Sequence, residues 1–366
     1  MKFLISKIKF SISLNRTNYF LLIITLIFAI PLFSQTLKLV PPETGIYQGA
    51  FPDMGSTEDS VTKEKILEFD SLTRNPAVWV YFSDNWFKGI IFPGQKVETI
   101  KSLGKIPFIR MMPRSGFFEN SPDPVYTLQK IIDGIFDNEL IQYARDAKDT
   151  KSPLMIEFGC EMNGDWFSWS SKFNGGGNKN EYGNPELADG PERYRDAYRH
   201  IIDIFRKESA GNITWVYHLN SDSFPAEDWN TMSAYYPGDD YIDWIGASIY
   251  GAQTPGEKWK SFSDIMDKCY SELSEISKFK PLAVLEFGVI EEPEKGNKSN
   301  WIQEALQSLI DGNYPRIKAI SYWHSVWQND NKKISNLRID SSIGSLKVYR
   351  KLINNPIFKP IVIFSE

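Results

Sequence analysis

Cysteine and histidine are both scarce in this chain, which has two cysteines and three histidines among 366 residues. Two cysteines in so long a chain cannot build the disulfide framework of a small secreted domain, so we interpret Cys160 and Cys269 as free thiols. The histidines are scattered without the spacing of zinc ligands, and nothing else in the sequence indicates a metal. We therefore expect neither a metal nor another cofactor.

The chain also has no phosphate-binding glycine loop and no repeats. The run Gly175-Gly176-Gly177 lies in a polar segment, residues 170–190, and neither leads straight into a helix nor precedes a Lys-Ser or Lys-Thr pair. We interpret this segment as a mobile loop. No repeat with a period of about 20 to 50 residues is visible, so a solenoid is not supported. No Ser/Thr/Pro-rich linker or composition break marks a second domain.

Basic residues are outnumbered by acidic ones. The formal charge of the whole chain is −5, and the first 35 residues contribute four positive charges and no negative one, which leaves −9 for the remainder. An acidic protein repels phosphate backbones, so we expect no nucleic-acid partner. Apolar residues make up 42% of the chain and aromatic residues 14%, enough for a large core.

The N-terminus has the pattern of a secretory signal. Basic residues precede an apolar run over residues 19–33, and Ser34 follows it as the expected cleavage position. The run is shorter than the roughly 20 residues that a membrane span needs. We therefore expect residues 1–34 to be removed, leaving residues 35–366 without a stable membrane span in a secreted, periplasmic or cell-surface protein. An uncleaved anchor is the alternative, and we expect a monomer.

Eight short apolar runs follow the signal segment and alternate with helical patterns or long polar loops. The runs cover residues 45–51, 77–82, 106–111, 154–161, 213–219, 244–250, 282–286 and 319–323. The candidate helices cover residues 60–72, 97–103, 125–147, 191–208, 262–276, 301–310 and 342–353. Strands that alternate with helices pair in parallel, and eight such units close into a barrel. The sequence therefore predicts an α/β fold, a single (β/α)8 TIM barrel over residues 35–366.

Polar and aromatic side chains stand at the ends of the predicted strands, where the active site of such a barrel lies. They are Asp84, Asn85, Trp86, Arg110, Glu161, His218, Asn220, Tyr250, Glu286, Trp323 and His324. Glu161 and Glu286 each follow an apolar strand and precede a turn. A charge at the inner rim of a barrel is costly to desolvate unless it has a partner or a function, so a structural ion pair is the alternative for each.

Two glutamates at strand ends, with tryptophan and tyrosine nearby, indicate carbohydrate cleavage. Paired carboxylates flank the scissile bond in glycosidases, and at a separation of about 5 to 5.5 Å one acts as nucleophile and the other as acid and then base. Aromatic rings offer flat apolar surfaces to sugar rings, with polar N–H and O–H groups at their edges. From their positions we add Trp86 and Arg110 as candidate substrate-binding residues.

The residues around these glutamates resemble glycoside hydrolase family 26. The resemblance rests on residues 161–169, Glu-Met-Asn-Gly-Asp-Trp-Phe-Ser-Trp, and on residues 285–288, Leu-Glu-Phe-Gly. That family belongs to a clan of retaining (β/α)8 barrels with catalytic glutamates after strands four and seven. The resemblance implies that Glu161 is the general acid/base and Glu286 the nucleophile. It also implies a cleavage subsite lined by Trp166, Tyr250 and Trp323.

The resemblance also implies a substrate class. Members of the family are mostly endo-β-1,4-mannanases, with some β-1,3-1,4-glucanases and β-1,3-xylanases. Mannanases of the family usually carry His directly before the acid/base and Arg four residues before it, where this chain has Cys160 and Glu157. Arg110 on the neighbouring strand is the expected counter-ion of Glu157. We predict a secreted enzyme that cleaves a β-linked polysaccharide with retention, first an endo-β-1,4-mannanase and alternatively one of the other two.

Functions of other classes remain to be weighed against this one. A non-catalytic carbohydrate-binding barrel is possible, although a protein without catalysis would be free to lose one of the glutamates. A barrel acting on phosphorylated metabolites conflicts with the signal segment and with the missing phosphate loop. For His218 and His324 two interpretations remain, contact with the substrate or a hydrogen-bonded position in the core. Asn163 is expected to satisfy backbone groups of its turn.

Overall fold

Eight parallel strands form a closed barrel in the computed structural model, which describes residues 37–55, 57–118 and 120–365. The strands are β1 (Ile46–Phe51), β2 (Trp79–Asn85), β3 (Ile106–Met112), β4 (Leu154–Phe158), β5 (Ile213–Asn220), β6 (Trp244–Tyr250), β7 (Leu282–Gly288) and β8 (Ile317–Trp323). Each strand pairs in parallel with the next, and β8 pairs with β1 to close the ring. The predicted TIM barrel is confirmed, whereas the predicted signal segment, residues 1–34, lies outside the described residues.

Helices connect the strands around the outside of the barrel. They are α1 (Lys63–Thr73), α2 (Gly94–Lys101), α3 (Leu128–Ile132), α4 (Asp137–Asp149), α5 (Asp189–Lys207), α6 (Phe262–Ile276), α7 (Lys298–Ile310) and α8 (Ile343–Ile353). The single helix predicted over residues 125–147 is wrong, because the structure has two helices there. The break includes Gly134, whose φ of 75° is a left-handed conformation that glycine adopts without steric cost.

The barrel strands are buried on both faces, which explains their continuous apolar runs. Helices cover the outer face, and large side chains fill the inner one. Gly49 of β1 shows how tightly they pack, because a Cβ atom there would lie 1.9 Å from Nε1 of Trp79. Any side chain at position 49 would therefore overlap the Trp79 ring, which packs directly against the backbone of β1.

The N-terminal end of the barrel is covered by a pair of short antiparallel strands. Leu39–Val40 pairs with Ile363–Phe364, and the Leu39 amide donates to the Thr214 hydroxyl at the start of β5. The opposite end carries the loops that follow the strands, including an antiparallel hairpin of Val326–Gln328 with Ile334–Asn336. The strand ends with their polar side chains therefore meet at the uncovered end.

Among the described residues, no helix combines the length and the apolar character that crossing a membrane requires.

Candidate active site

A cleft of about 1170 Å³ opens at the C-terminal end of the barrel. Six of the seven residues predicted for the site line it, namely Arg110, Glu161, Trp166, Tyr250, Glu286 and Trp323. These six side chains therefore lie around one cavity.

Trp86 is the predicted site residue that the structure does not bring to the cleft. Its side chain is 1% exposed and packs edge-on against Tyr126 and close to Phe158, with ring centroids 5.2 and 6.3 Å away. Its neighbours Asn85 and Phe87 line the cleft instead. Trp86 lies in the turn directly after β2, and this turn directs its ring into the packed interior while Asn85 and Phe87 face the cavity.

Glu161 is held at the turn after β4. Its backbone has a φ of 54°, a left-handed conformation that is uncommon for a residue with a side chain. Its amide donates to the carbonyl of His218 on β5 at 2.9 Å, and its carbonyl accepts from the Gly164 amide at 2.8 Å. The Trp166 indole N–H donates to Oε2 of the carboxylate at 3.0 Å. Backbone and side chain are thus both fixed, with the carboxylate at the cleft wall.

Glu286 at the end of β7 has different partners. The Tyr250 hydroxyl donates to Oε2 at 2.6 Å, and Nη2 of Arg110 lies 3.3 Å from Oε1. That contact is within ion-pair distance, but its angles do not make a hydrogen bond, and Oε1 accepts none from the described residues. Burial raises the pKa of Glu286 to about 7, with the Glu161 charge acting in the same direction. Arg110, His218 and the Tyr250 hydrogen bond act against that rise.

Arg110 connects several acidic groups beneath the cleft. Its Nε lies 3.2 Å from Oε1 of Glu157, and its Nη1 lies 3.3 Å from Oε2 of Glu58, in addition to the contact with Glu286. The predicted Arg110–Glu157 ion pair is confirmed. The guanidinium also lies 5.1 Å from the centroid of the Trp323 ring. Arg110 therefore has its charge matched on several sides and lies at the floor of the cleft.

His218 belongs to the same buried network and does not line the cleft. Its Nδ1 is 2.7 Å from Oε2 of Glu157, and its Nε2 is 2.9 Å from the Ser248 hydroxyl. Burial alone would lower its pKa, but the carboxylates of Glu157, Glu286 and Glu161, with Glu157 acting most strongly, together outweigh burial and the pKa of His218 is raised. His324 is likewise buried, and its Nδ1 accepts from the Ile339 amide at 3.0 Å. Both histidines are core residues.

Cys160 lies directly before Glu161 in the turn after β4. Its thiol is buried, accepts a hydrogen bond from Nη2 of Arg110 at 3.0 Å and lies 4.0 Å from Sδ of Met112. Burial raises the pKa of Cys160 well above its ordinary value, so the thiol is neutral at neutral pH. Its position gives Arg110 a weak acceptor rather than another charge.

Three possible metal ligands lie close together in this network, but they do not form a metal site. One atom from each of Glu157, Cys160 and His218 lies within 4.8 Å of the others. The Arg110 guanidinium already occupies the space around them, 3.2 Å from the Glu157 carboxylate and 3.0 Å from the sulfur. A second cation there would have to displace a buried guanidinium, so these residues do not fit a metal.

Asn163 fixes the loop beside the cleft, as the sequence predicts. Its side-chain amide donates to the Asn220 carbonyl at 2.9 Å, and its Oδ1 accepts from the Asn220 amide at the same distance. The side chain is fully buried and has no access to a ligand. Asn163 therefore positions the segment after β5 against the turn that carries Glu161.

Loop residues supply the part of the cleft wall that the sequence analysis missed. They include Glu58, Arg114, Phe117, Phe167, Asp222, Phe224, Glu257, Lys260 and Trp327. Arg114 follows Arg110 by four residues, directly after the end of β3, so the strand-end rule could have included it. For loops farther from strand ends, the sequence carries no periodic signal that places them near the glutamates.

The raised pKa of Glu286 predicts where the acidic limb of the pH profile lies. If Glu286 acts as the nucleophile that the resemblance implies, it must be ionised, so kcat/KM is expected to fall as the pH drops through about 7, the value to which burial raises the pKa of this group. Tyr250→Phe removes a hydrogen bond to the ionised form and should move the limb to higher pH. The measurement is kcat/KM for both proteins from about pH 4 to about pH 10. A limb near the ordinary value of 4.5 in both would contradict the assignment.

Comparisons with known proteins agree with this geometry. Residues 122–307, about half of the chain, match the model of glycosyl hydrolase family 26. A protein of Acetivibrio thermocellus named endoglucanase H is 32% identical over 231 residues, which cover 62% of this chain and 23% of that protein. The chain therefore matches about a quarter of the length of this relative.

Solved structures resemble the barrel at lower sequence identity. The catalytic domain of an endo-β-1,4-mannanase from a Bacillus species has a TM-score of 0.61 and 16% identity, with 90% of this chain and 96% of that chain covered. A mannanase from Bacillus subtilis has a TM-score of 0.54 and 16% identity, with 85% and 86% covered. At these identities the likeness shows the common fold.

Proposed function

Because this chain belongs to glycosyl hydrolase family 26, we propose that it cleaves a β-linked polysaccharide with retention of configuration, using Glu286 as nucleophile and Glu161 as acid/base. The observation that carries the proposal is the pair of glutamates in one cleft with different hydrogen-bond partners. Glu286 accepts from Tyr250 and faces Arg110, whereas Glu161 accepts from Trp166. Different surroundings are what separate the roles of two carboxylates in one site.

In the first step the nucleophile forms a covalent bond with the sugar. An oxygen of Glu286 attacks the anomeric carbon, and the glycosidic bond breaks with its electron pair going to the leaving oxygen. Glu161 transfers its proton to that oxygen as it departs. We assign the attack to Oε1, because Oε2 is engaged by the Tyr250 hydroxyl and Oε1 accepts no hydrogen bond from the described residues.

In the second step water releases the sugar. Glu161, now ionised, takes a proton from a water molecule whose oxygen bonds to the anomeric carbon. The ester bond to Glu286 breaks, and the carboxylate is restored with Tyr250 and Arg110 beside it. Two displacements at the same carbon return the original configuration. Arg110 and Tyr250 stabilise the leaving carboxylate in this step.

For the substrate we propose a β-1,4-mannan cleaved internally, with a mixed-linkage β-glucan as the second candidate. The open cleft with aromatic side chains in its wall suits a chain-like substrate. The mannanases among the similar structures support the first candidate. The second is supported by the relative named endoglucanase H, and by Cys160 and Glu157, which depart from the mannanase pattern. We further propose export, with residues 1–34 removed and residues 35–366 forming the mature catalytic domain.

The experiment is a substrate panel on the purified chain. Mannan, mixed-linkage glucan and β-1,3-xylan are incubated separately, released reducing ends are measured, and the configuration of the first product is read by NMR. We expect reducing ends from mannan or the glucan, short oligosaccharides rather than monosaccharides, and a β-configured first product. An α-configured product would overturn the retaining mechanism. No release from any polysaccharide, with binding retained, would favour a non-catalytic carbohydrate-binding barrel.

A further inference from the structure

A second arginine, Arg114, lies in the cleft wall among aromatic rings. Its guanidinium carbon is 4.6 Å from the ring centroid of Phe117, 5.7 Å from those of Phe87 and Phe167, and 5.8 Å from that of Trp169. Phe87, Phe117 and Phe167 line the cleft together with it. Aromatic faces attract a guanidinium and hold its plane, so this side chain is supported on several sides.

The hydrogen bonds of Arg114 use only one edge of the guanidinium. Nε donates to Oδ1 of Asn85, whose own side-chain amide donates to Oδ2 of Asp59 at 2.7 Å. Within residues 37–55, 57–118 and 120–365, neither terminal nitrogen of Arg114 has a carboxylate within ion-pair distance or another acceptor. This contrasts with Arg110, which contacts three carboxylates. Arg114 is oriented through Asn85, and its outer edge is left without a protein partner.

A partly buried cation without a carboxylate partner is unfavourable unless a ligand completes it. Burial lowers the pKa of Arg114 below its ordinary value, which reflects the cost of removing the guanidinium from water. Planar guanidinium forks match carboxylate and sulfate-like oxygens with two parallel hydrogen bonds. The acidic side chains that also line the cleft, Glu58, Asp59, Asp222 and Glu257, would repel an anion. Lys258 and Lys260 line it as well, but Arg114 is the cation that aromatic rings and Asn85 hold in place.

We propose that Arg114, seated among Phe117, Phe87 and Phe167, forms a subsite for an anionic substituent on the polysaccharide. The shared chemistry is a carboxylate or sulfate group on a sugar ring. The guanidinium fork binds the anion, and the phenyl rings contact the apolar face of the same sugar. The inference rests on the proposed glycosidase function and adds to it that a β-linked chain with an acidic substituent is preferred over the same chain without one.

The test compares matched oligosaccharides on wild-type protein and Arg114→Gln. One is a neutral oligosaccharide that the wild-type protein cleaves, the second carries a carboxylate in place of one primary alcohol, and the third carries a sulfate ester at that position. For the better of the two anionic substrates, Arg114→Gln should lower kcat/KM about 10- to 100-fold more than for the neutral one. Arg114→Lys, which keeps the charge but not the fork, should fall between. Added salt should weaken the wild-type preference.

Lys260→Gln is the matched control, because Lys260 lines the same cleft but is already paired with Asp222 at 3.4 Å. This variant should change kcat/KM for the neutral and for the anionic substrates by the same factor. If Arg114→Gln lowers kcat/KM equally for both kinds of substrate, the anion subsite is overturned. Arg114 would then bind hydroxyl groups of the sugar instead. No loss on either would overturn it in favour of a purely structural role.

Binding measured by calorimetry separates this inference from the proposed function. If none of the oligosaccharides is hydrolysed, the glycosidase proposal fails. A lower affinity of Arg114→Gln for the anionic oligosaccharide, with a smaller change for the neutral one, would still support the subsite.

Discussion

Glu286→Ala is expected to lower kcat by roughly 10⁴-fold or more on every polysaccharide that the wild-type protein cleaves, the scale on which a catalytic group acts. In the proposed mechanism the Glu286 carboxylate forms the covalent intermediate, so the variant cannot form it. Glu161 can still donate a proton, but it does not replace the missing nucleophile. The fold should persist, because Arg110 keeps its contacts with Glu157 and Glu58. The measurements are steady-state hydrolysis and the circular dichroism melting curve.

Glu257→Ala provides the matched control for this prediction. Glu257 lines the same cleft, but its carboxylate accepts from the amides of Gln253 and Thr254 within its own loop. Its removal should change kcat by less than about tenfold, since no reacting bond depends on it. Wild-type turnover in Glu286→Ala would reject Glu286 as nucleophile. Equal large losses in both variants would point to disruption of the cleft instead.

Glu161→Ala is expected to affect the two chemical steps differently. For a polysaccharide, whose leaving oxygen needs a proton, the loss should be about 10²- to 10⁴-fold. For an aryl glycoside with an acidic leaving group, the first step needs little proton transfer and should remain fast. The second step lacks its base, so the covalent intermediate should accumulate. The fast first step should then appear as a burst of released phenol.

The burst is measured by rapid mixing, and azide serves as a diagnostic additive. Azide attacks the intermediate without base assistance, so it should restore turnover in Glu161→Ala and give a glycosyl azide of retained configuration. Glu161→Gln is the companion variant, since an amide oxygen can still accept from the Trp166 indole while providing no proton. An equal loss on polysaccharide and on the activated glycoside would reject Glu161 as the acid/base.

The barrel and the placing of both glutamates were predictable from sequence because each rests on a local pattern. Buried parallel strands give continuous apolar runs, and all eight runs became barrel strands. A carboxylate directly after such a run must lie at the rim, so Glu161 and Glu286 were placed without knowledge of the loops. The pairing of Arg110 with Glu157 followed from the adjacency of their strands in the sheet.

The features that sequence could not supply depend on the path of the chain after the strands end. Trp86 was expected in the cleft but lies in the interior, because it belongs to the turn after β2, whose course the strand pattern does not predict. The helix over residues 125–147 was overextended because Gly134 lies within an otherwise suitable apolar pattern. Two of the rings around Arg114, Phe87 and Phe167, come from residues far from it in sequence, and their meeting depends on tertiary packing.

The contacts of Arg110 limit which substitutions the floor of the cleft can accept one at a time. One side chain touches the buried Glu157, the Cys160 sulfur and the candidate nucleophile, so a substitution at any of these positions changes the electrostatic surroundings of the others. A single exchange of Glu157 for arginine would leave the buried Arg110 and His218 without this counter-ion. Changes of specificity at these positions are therefore expected to be epistatic, arising as combinations in which Arg110 and its neighbours are exchanged together.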